Sequence, residues 1–441
     1  MFLDKYIHEY NSPIVQVIFL GLVCLCCPGM FNALSGLGAG GSMSSNVALI
    51  DAANGALYGC FAIVGFFAGS VTNTLGSIGY MIYSAAMWVY DRKQLSGFVV
   101  AAGAILGCLA SFFWSAQGAI MMSYPEEKDK GKFVAIFWAL FNCGGILGSL
   151  IALVLNLQNT TGGVSTGTYT AFVIVMGIGV LFSMTLANPS NVVRADGTPI
   201  AIAKSAHWKE ELKGAVSVWK EWRMLALIPA FLASNWFYAY QFRVNSIYFD
   251  PSTRALNDLM YWALQVIGAI MIGYLLDCEK FSRRNRGLIA LGILFVLLNL
   301  IWAGGFAFQM TFEADYQDPI HWDHERFGGP FLLFVLYGFS DAVYQTYLYW
   351  LMGAMSNDPA LLARYAGFYK AVQSAGAATA FGIDASPIRL RYECLICWLI
   401  VCVSFPLIFL VANKVTETNV VSTKLDEILN EDVLLSADEK L

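Results

Sequence analysis

The sequence has little charge. Of its 441 residues, only 13% are Asp, Glu, Lys or Arg, about half the ~25% of an average soluble protein. Hydrophobic residues make up 58%. A soluble chain of this length would need far more charged surface, so soluble, disordered and nucleic-acid-binding classes are excluded. A polytopic membrane protein remains, with the lipid bilayer as its first partner and no nucleic acid.

Residues that carry enzyme chemistry are also scarce. The chain has four histidines, and none lies in an apolar run long enough to cross a membrane. It has no nucleophile–base pattern and no Gly-Lys-Ser/Thr phosphate loop. We therefore expect no enzyme activity, no cofactor and no metal site.

Long apolar runs occur twelve times along the chain, and each can cross a bilayer. A transmembrane barrel would show ~10-residue alternating segments instead, so the runs are interpreted as helices. The predicted fold class is an all-α polytopic membrane protein with 12 transmembrane helices. The predicted spans are 13–34, 46–69, 73–90, 97–122, 132–155, 169–187, 224–245, 257–276, 287–308, 329–355, 361–381 and 391–413.

The spans fall into two groups of six. We predict an N-terminal six-helix half at 1–187, a basic linker at 188–223, a C-terminal six-helix half at 224–413 and an acidic tail at 414–441. A weak internal repeat supports two pseudo-symmetric halves, because Asn142-x-x-Gly145 in span 5 corresponds to Gln373-x-x-Gly376 in span 11. Paired halves are common in transporters.

Basic residues predict the orientation of the chain. With the N-terminus inside, the inner loops and tails hold 18 Lys/Arg and the outer loops hold 6, which is the expected cytoplasmic excess. Both termini, the linker and the tail are therefore predicted to be cytosolic. The sequon at Asn159 then falls in an outer loop, which predicts glycosylation there.

The layout of two six-helix groups with a long basic middle loop resembles the major facilitator superfamily. A second mark is a motif after span 8, which resembles the gating loop of that superfamily. There the Asp at a helix end meets basic residues of a neighbouring helix. The corresponding segment after span 2, Gly69-x-x-x-Asn73-x-x-Gly76, carries no charge. The motif residues are Gly273, Asp277, Lys280, Arg283 and Arg284.

Several sequence segments narrow the resemblance further. These segments are Gly29–Gly38, Tyr124-Pro-Glu-Glu, Phe137-Trp138, Asn142-Cys-Gly-Gly145, Asn235–Gln241 and Gly338-Phe-Ser-Asp341-Ala. Together they resemble the uncoordinated-93-like family, particularly its fungal members. The resemblance implies a facilitator fold. It also implies a link to potassium-channel regulation, potassium homeostasis or escort of innate immune receptors.

Two ionisable residues lie near the middle of predicted spans, where a charge is costly and needs a reason. Asp341 is about 12 residues from the outer end of span 10, or ~18 Å, and Lys370 lies at a similar depth in span 11. We predict a buried Asp341–Lys370 pair. It either titrates or rearranges during transport, or it is a static pair that fixes helix register.

Other polar residues in the spans are second candidates for substrate or ion contact. Gln345 shares a helix face with Asp341, and Gln373 shares one with Lys370. Arg243 either holds an anionic group at the outer mouth or extends to the lipid headgroups. The remaining candidates, which either contact substrate or bond another helix, are Asn32, Asp51, Asn54 and Asn142.

Two functions follow from these observations. The first is a secondary transporter or facilitator that moves a small solute or ion by alternating access around a midplane polar site. The second is a membrane regulator or escort of an ion channel or receptor that does not transport. In both cases we expect a multi-pass protein of the plasma membrane or of an endosomal or vacuolar membrane.

Overall fold

The computed structural model describes residues 9–37, 47–65, 73–126, 129–156, 164–194, 200, 213–214, 216–311, 319–386 and 388–418. Within these ranges the chain is almost wholly helical. An isolated β-bridge joins Phe249 and Ile320.

Twelve long helices follow one another in the described ranges, and each coincides with a predicted span. Their ends differ from the predictions by a few residues, mostly because the helices continue beyond the apolar run. We number them α1 Pro13–Gly36, α2 Val47–Gly65, α3 Asn73–Lys93, α4 Ser96–Ser123, α5 Lys130–Asn156, α6 Thr166–Ser183, α7 Ile228–Tyr248, α8 Pro251–Leu276, α9 Arg283–Thr311, α10 Gly328–Gly353, α11 Pro359–Asp384 and α12 Leu390–Ala412.

The helices differ in how apolar they are. Eight of the described helices are long and apolar enough to cross a membrane by composition alone: α1, α2, α4, α5, α6, α8, α9 and α12. The other four, α3, α7, α10 and α11, are 21 to 26 residues long but more polar. Three of these four carry the buried polar side chains described below.

The first six helices pack against the last six along two seams. Helix α2 packs against α11, and α5 packs against α8. At the predicted inner ends, Lys130 Nζ donates to the Gly353 carbonyl at 2.8 Å. At the predicted outer ends, Asn245 Nδ2 donates to the Gly36 carbonyl at 2.9 Å. Helix ends that are predicted to lie on the same side of the membrane therefore contact each other.

Helix α1 contains a single π-helical turn at Leu25–Gly29, with Pro28 inside it. Proline removes one backbone donor, and a π turn accommodates the break. The turn packs closely on α5, since a Cβ added to Gly144 would lie 2.1 Å from the Leu25 carbonyl oxygen. Only glycine fits at that position.

Some predicted features lie outside the described residues. They are the Asn159 sequon, Gly69 of the uncharged segment after span 2, most of the linker and the tail after residue 418.

Candidate functional site

A cavity lies between the two groups of helices, with walls from α1 to α5 and from α7, α10 and α11. The cavity has a volume of about 60 Å³. Aromatic residues are the largest group in the wall, among them Tyr58, Trp114, Trp138 and Tyr238. The polar wall residues are Asn32, Asn235, Gln345, Lys370, Gln373 and Ser374.

Lys370 places a buried ammonium group in this wall. The side chain is 5% exposed, and Nζ donates to Gln373 Oε1 at 2.8 Å. Nζ lies 4.5 Å from the centre of the Trp114 ring, with the rings of Tyr369 and Tyr349 at 5.1 and 5.5 Å. These distances suit cation–π attraction. In the described chain, no carboxylate oxygen lies within 4.0 Å of this Nζ.

Asp341 is also buried, but it lies behind the wall and does not line the cavity. Its carboxylate accepts three hydrogen bonds. Oδ1 accepts from Gln345 Nε2 at 2.6 Å, and Oδ2 accepts from the Tyr238 hydroxyl at 2.6 Å and from Gln265 Nε2 at 3.0 Å. A carboxylate with three donors is well satisfied in its ionised form.

Two glutamines connect the ammonium to the carboxylate. Lys370 donates to Gln373 Oε1, Gln373 Nε2 donates to Gln345 Oε1 at 2.9 Å, and Gln345 donates to Asp341. The structure therefore gathers all four principal candidates into one cluster. The predicted direct Asp341–Lys370 contact is absent because the two amides lie between the charged groups.

Arg243 lies in a second buried cluster, near the predicted outer ends. Its Nη1 contacts Asp384 Oδ1 at 2.5 Å and Glu393 Oε1 at 3.1 Å. Arg243 thus already pairs with two carboxylates within the protein. This arrangement supports neither of its two predicted roles, which are binding of an anionic group and extension to the lipid headgroups. Asp384 and Glu393 escaped the sequence analysis because they lie at helix ends, although they share the predicted outer depth of Arg243.

A smaller cavity, with a volume of about 30 Å³, borders the Arg243 cluster. Asp51 and Asn54 of α2 line it together with Arg243 and Asp384. Asp51 Oδ2 is buried without a hydrogen-bond partner among the described residues. Asn54 Oδ1 has a long contact of 3.5 Å from the Tyr83 hydroxyl.

The two remaining predicted amides, Asn32 and Asn142, lie in different surroundings. Asn32 lines the central cavity. Asn142 is buried in α5, where neither of its side-chain polar atoms has a partner in the described ranges.

Asp258 in α8 is a further buried carboxylate that sequence reasoning missed. Its Oδ2 lies 2.6 Å from Ser149 Oγ, and its Oδ1 accepts from Trp262 Nε1 at 2.8 Å. The sequence signal that could have found Asp258 is its position as the second residue of the predicted span 8.

The motif after α8 forms a contact between α8 and α5, but not the predicted one. Asp277 accepts from the backbone N–H groups of Gly131 at 3.1 Å and Lys132 at 2.5 Å, in the first turn of α5. The positive end of a helix supplies the direct donors, and the basic side chain of Arg286 in α9 acts on Asp277 only by its charge. Burial raises the pKa of Asp277 to about 6, and the two backbone donors oppose that rise.

The other motif residues lie apart from Asp277. Gly273 packs on Ala135, where an added Cβ would be 2.7 Å from the Ala135 Cβ. Arg283 contacts Glu417, Arg284 contacts Asn413, and Lys280 is exposed.

Comparison with solved structures defines the class of protein. The fold matches "a Major Facilitator Superfamily (MFS) transporter, FucP, in the outward conformation" with a TM-score of 0.60 and 12% identity, covering 93% of this chain and 100% of that chain. It matches the xylose transporter XylE from E. coli with the same score and identity, covering 93% and 99%. The protein is an integral multi-pass membrane protein with the major facilitator superfamily fold.

Sequence comparison then gives the family. The model described as "Ion channel regulatory protein UNC-93" matches residues 52–411. An UNC93-like protein of Schizosaccharomyces pombe is 41% identical, covering 89% of this chain and 81% of that protein. UNC93-like protein 1 of Arabidopsis thaliana is 40% identical, covering 91% and 90%. The chain belongs to the UNC-93 family.

Proposed function

We propose that this protein is a secondary transporter or facilitator, not an enzyme, and that it moves a small solute across a membrane by alternating access. The observation that carries the proposal is the central cavity, whose wall combines helices of both six-helix groups with a buried lysine that contacts no carboxylate among the described residues. A buried charge whose counter-charge lies two amides away is costly, and a ligand that pairs with it directly lowers that cost.

The proposed moving bodies are the predicted halves, 1–187 and 224–413. Contacts between them exist on both sides of the cavity. The inner contacts are Lys130 to Gly353 and Asp277 to the start of α5. The outer contacts are Asn245 to Gly36 and Ser149 to Asp258. Alternating access requires that one set breaks while the other holds.

Flux through purified protein in liposomes tests this function. A solute panel covering anions, neutral polar solutes and cations is loaded inside, and exchange with labelled solute outside is measured. We expect saturable exchange that Lys370→Met abolishes. Lys414→Met is the matched control, because Lys414 is exposed beyond the end of α12. Exchange that is equal in wild type and Lys370→Met contradicts the proposed site.

The second candidate function is regulation or escort of a membrane partner, either a channel or a receptor. The observation in its favour is the description of the matching family as ion channel regulatory. Lys370→Met separates the two functions. A transporter loses flux in this variant, whereas a regulator that does not transport keeps its effect on the current of a co-expressed channel and shows no flux in either form.

A further inference from the structure

The wall of the central cavity presents one sign of charge to a ligand. Among the described residues that line it, Lys370 is the only Lys, Arg, Asp or Glu. Asp341 is screened from the cavity by Gln345 and Tyr238, which occupy the wall in front of it and bond to it. A cationic ligand would therefore meet an ammonium group, while an anionic ligand would meet its complement.

The ammonium group has donors to spare. A lysine carries three N–H donors, and within the described ranges Lys370 has one hydrogen-bond acceptor, Gln373 Oε1. The three surrounding rings attract the cation but accept no strong hydrogen bond. A carboxylate in the cavity would fill the remaining donors. The aromatic wall would cover the apolar body of the same molecule.

The hydrogen bonds between the two charges run in one direction. Each amide accepts from the ammonium side and donates toward the carboxylate side, so the chain is polarised from Lys370 to Asp341. This direction fits an ionised Asp341, because a carboxylate can only accept. The two charges thus balance through two amides.

An anion on Lys370 would cancel that balance and leave the Asp341 carboxylate uncompensated in the protein interior. A proton on Asp341 restores neutrality. It also turns one carboxylate oxygen into a donor. When Gln345 turns its own oxygen toward that donor, it no longer accepts from Gln373. Gln373 is then free to release Lys370 to the ligand.

We propose, on the basis of the transport function above, that the cavity binds a small organic monoanion together with one proton. The anion pairs with Lys370 and the proton adds to the Asp341 carboxylate, so the loaded site gains no net charge. The groups that face Asp341 and can titrate are Tyr238 of α7, Tyr261 of α8, and Tyr369 and Lys370 of α11. Lys370 is the one cation among them.

Binding calorimetry on the detergent-purified full chain tests both halves of the proposal. The probes are lactate and benzoate, their neutral amides lactamide and benzamide, and choline as a cation. Titrations in buffers with different ionisation enthalpies count the protons taken up. We expect the anions to bind with one proton each, and the amides and choline to bind at least tenfold more weakly.

Variants assign the two charges. Lys370→Met should weaken anion binding at least a hundredfold, and Lys414→Met should leave it unchanged. Asp341→Asn should bind the anion without proton uptake and without dependence on pH. If Asp341→Asn fails to fold, the number of protons taken up by the wild type still tests the coupling of anion and proton.

The outcomes separate this inference from the proposed function. Amide or choline binding that survives in Lys370→Met overturns the anion class, while flux of that same probe in liposomes leaves transport standing. Anion binding without proton uptake in the wild type overturns the role of Asp341. Absence of binding and of flux for every probe overturns both the inference and the proposed transport.

Discussion

Two basic residues within the spans of the C-terminal group of helices, the half-buried Arg243 and the buried Lys370, have opposite surroundings. Arg243 contacts two carboxylates at 2.5 and 3.1 Å. Lys370 contacts amide oxygen and aromatic rings, and its nearest acid is two glutamines away. The planar guanidinium suits fixed ion pairs, whereas the compact ammonium adapts to ligands. A basic residue in an apolar helix thus indicates a binding site only where the fold brings no acid to it.

The largest expected effect comes from breaking the Arg243 cluster. Arg243→Ala leaves Asp384 and Glu393 buried without their cation, and such uncompensated charges cost about 3–5 kcal/mol. We expect the free energy of unfolding in detergent to fall by that amount at pH 8. Adding Asp384→Asn and Glu393→Gln should restore much of it. An Arg243→Ala protein as stable as wild type would remove the distinction between the two clusters.

The second effect concerns function. Lys370→Met should weaken solute binding at least a hundredfold, equal to about 2.7 kcal/mol, while the free energy of unfolding falls by less than it does in Arg243→Ala. The fall is smaller because Asp341 keeps its three hydrogen bonds and can take up a proton once Lys370 is gone, whereas Arg243→Ala leaves two carboxylates without their cation. Calorimetric binding and thermal unfolding measure the two quantities on one preparation. A large loss of stability with unchanged binding would reverse the assignment.

The third effect extends the comparison to a half-buried carboxylate, Asp277, whose hydrogen-bond donors are two backbone N–H groups. The pKa of Asp277 is raised to about 6 from an ordinary value of ~3.9. The folded state therefore binds a proton at Asp277 more tightly than the unfolded state does. The resulting stabilisation is complete below pH ~3.9 and is lost as pH rises through 6.

Unfolding measured between pH 4 and 7.5 checks this sign. Relative to Asp277→Asn, which cannot titrate, the wild type should lose up to about 2 kcal/mol over that range. A wild type that gains stability with rising pH, relative to the variant, would show that the two backbone N–H groups outweigh burial.

The smallest effect sharpens the description of the Arg243 cluster. Asp51 Oδ2 has no hydrogen-bond partner among the described residues, and Asp384 lines the same small cavity. Asp51→Asn removes one acid from a cluster that has more acids than bases. We expect it to stabilise the protein by about 1 kcal/mol at pH 8. A destabilised variant would show that Arg243 needs this third carboxylate.

The helices were predictable from sequence because hydropathy and length directly decide which segments can cross a bilayer. Even the more polar helices α7, α10 and α11 were found, since their polar residues are few. The members of the central cluster were predictable for the same reason: a polar group in an apolar run stands out.

The contacts within the site were not predictable. Helix depth placed Asp341 and Lys370 at one level, but the position of Gln345 and Gln373 between them depends on helix rotation and side-chain conformation. The partners of Arg243 lie at helix ends, where acids are ordinary. The partner of Asp277 is backbone, which leaves no mark in the residue types.

The π turn in α1 determines which residue of that helix faces the central cavity. A π turn adds one residue to the helix, and each residue advances an α-helix by about 100°. Asn32 follows the turn at Leu25–Gly29 and lines the cavity beside Pro28. If the same residues were wound as a regular α-helix, Asn32 would be rotated about a quarter-turn out of the cavity wall. The side chains that line the cavity are therefore determined partly by the spacing of residues along α1 and not only by their identity.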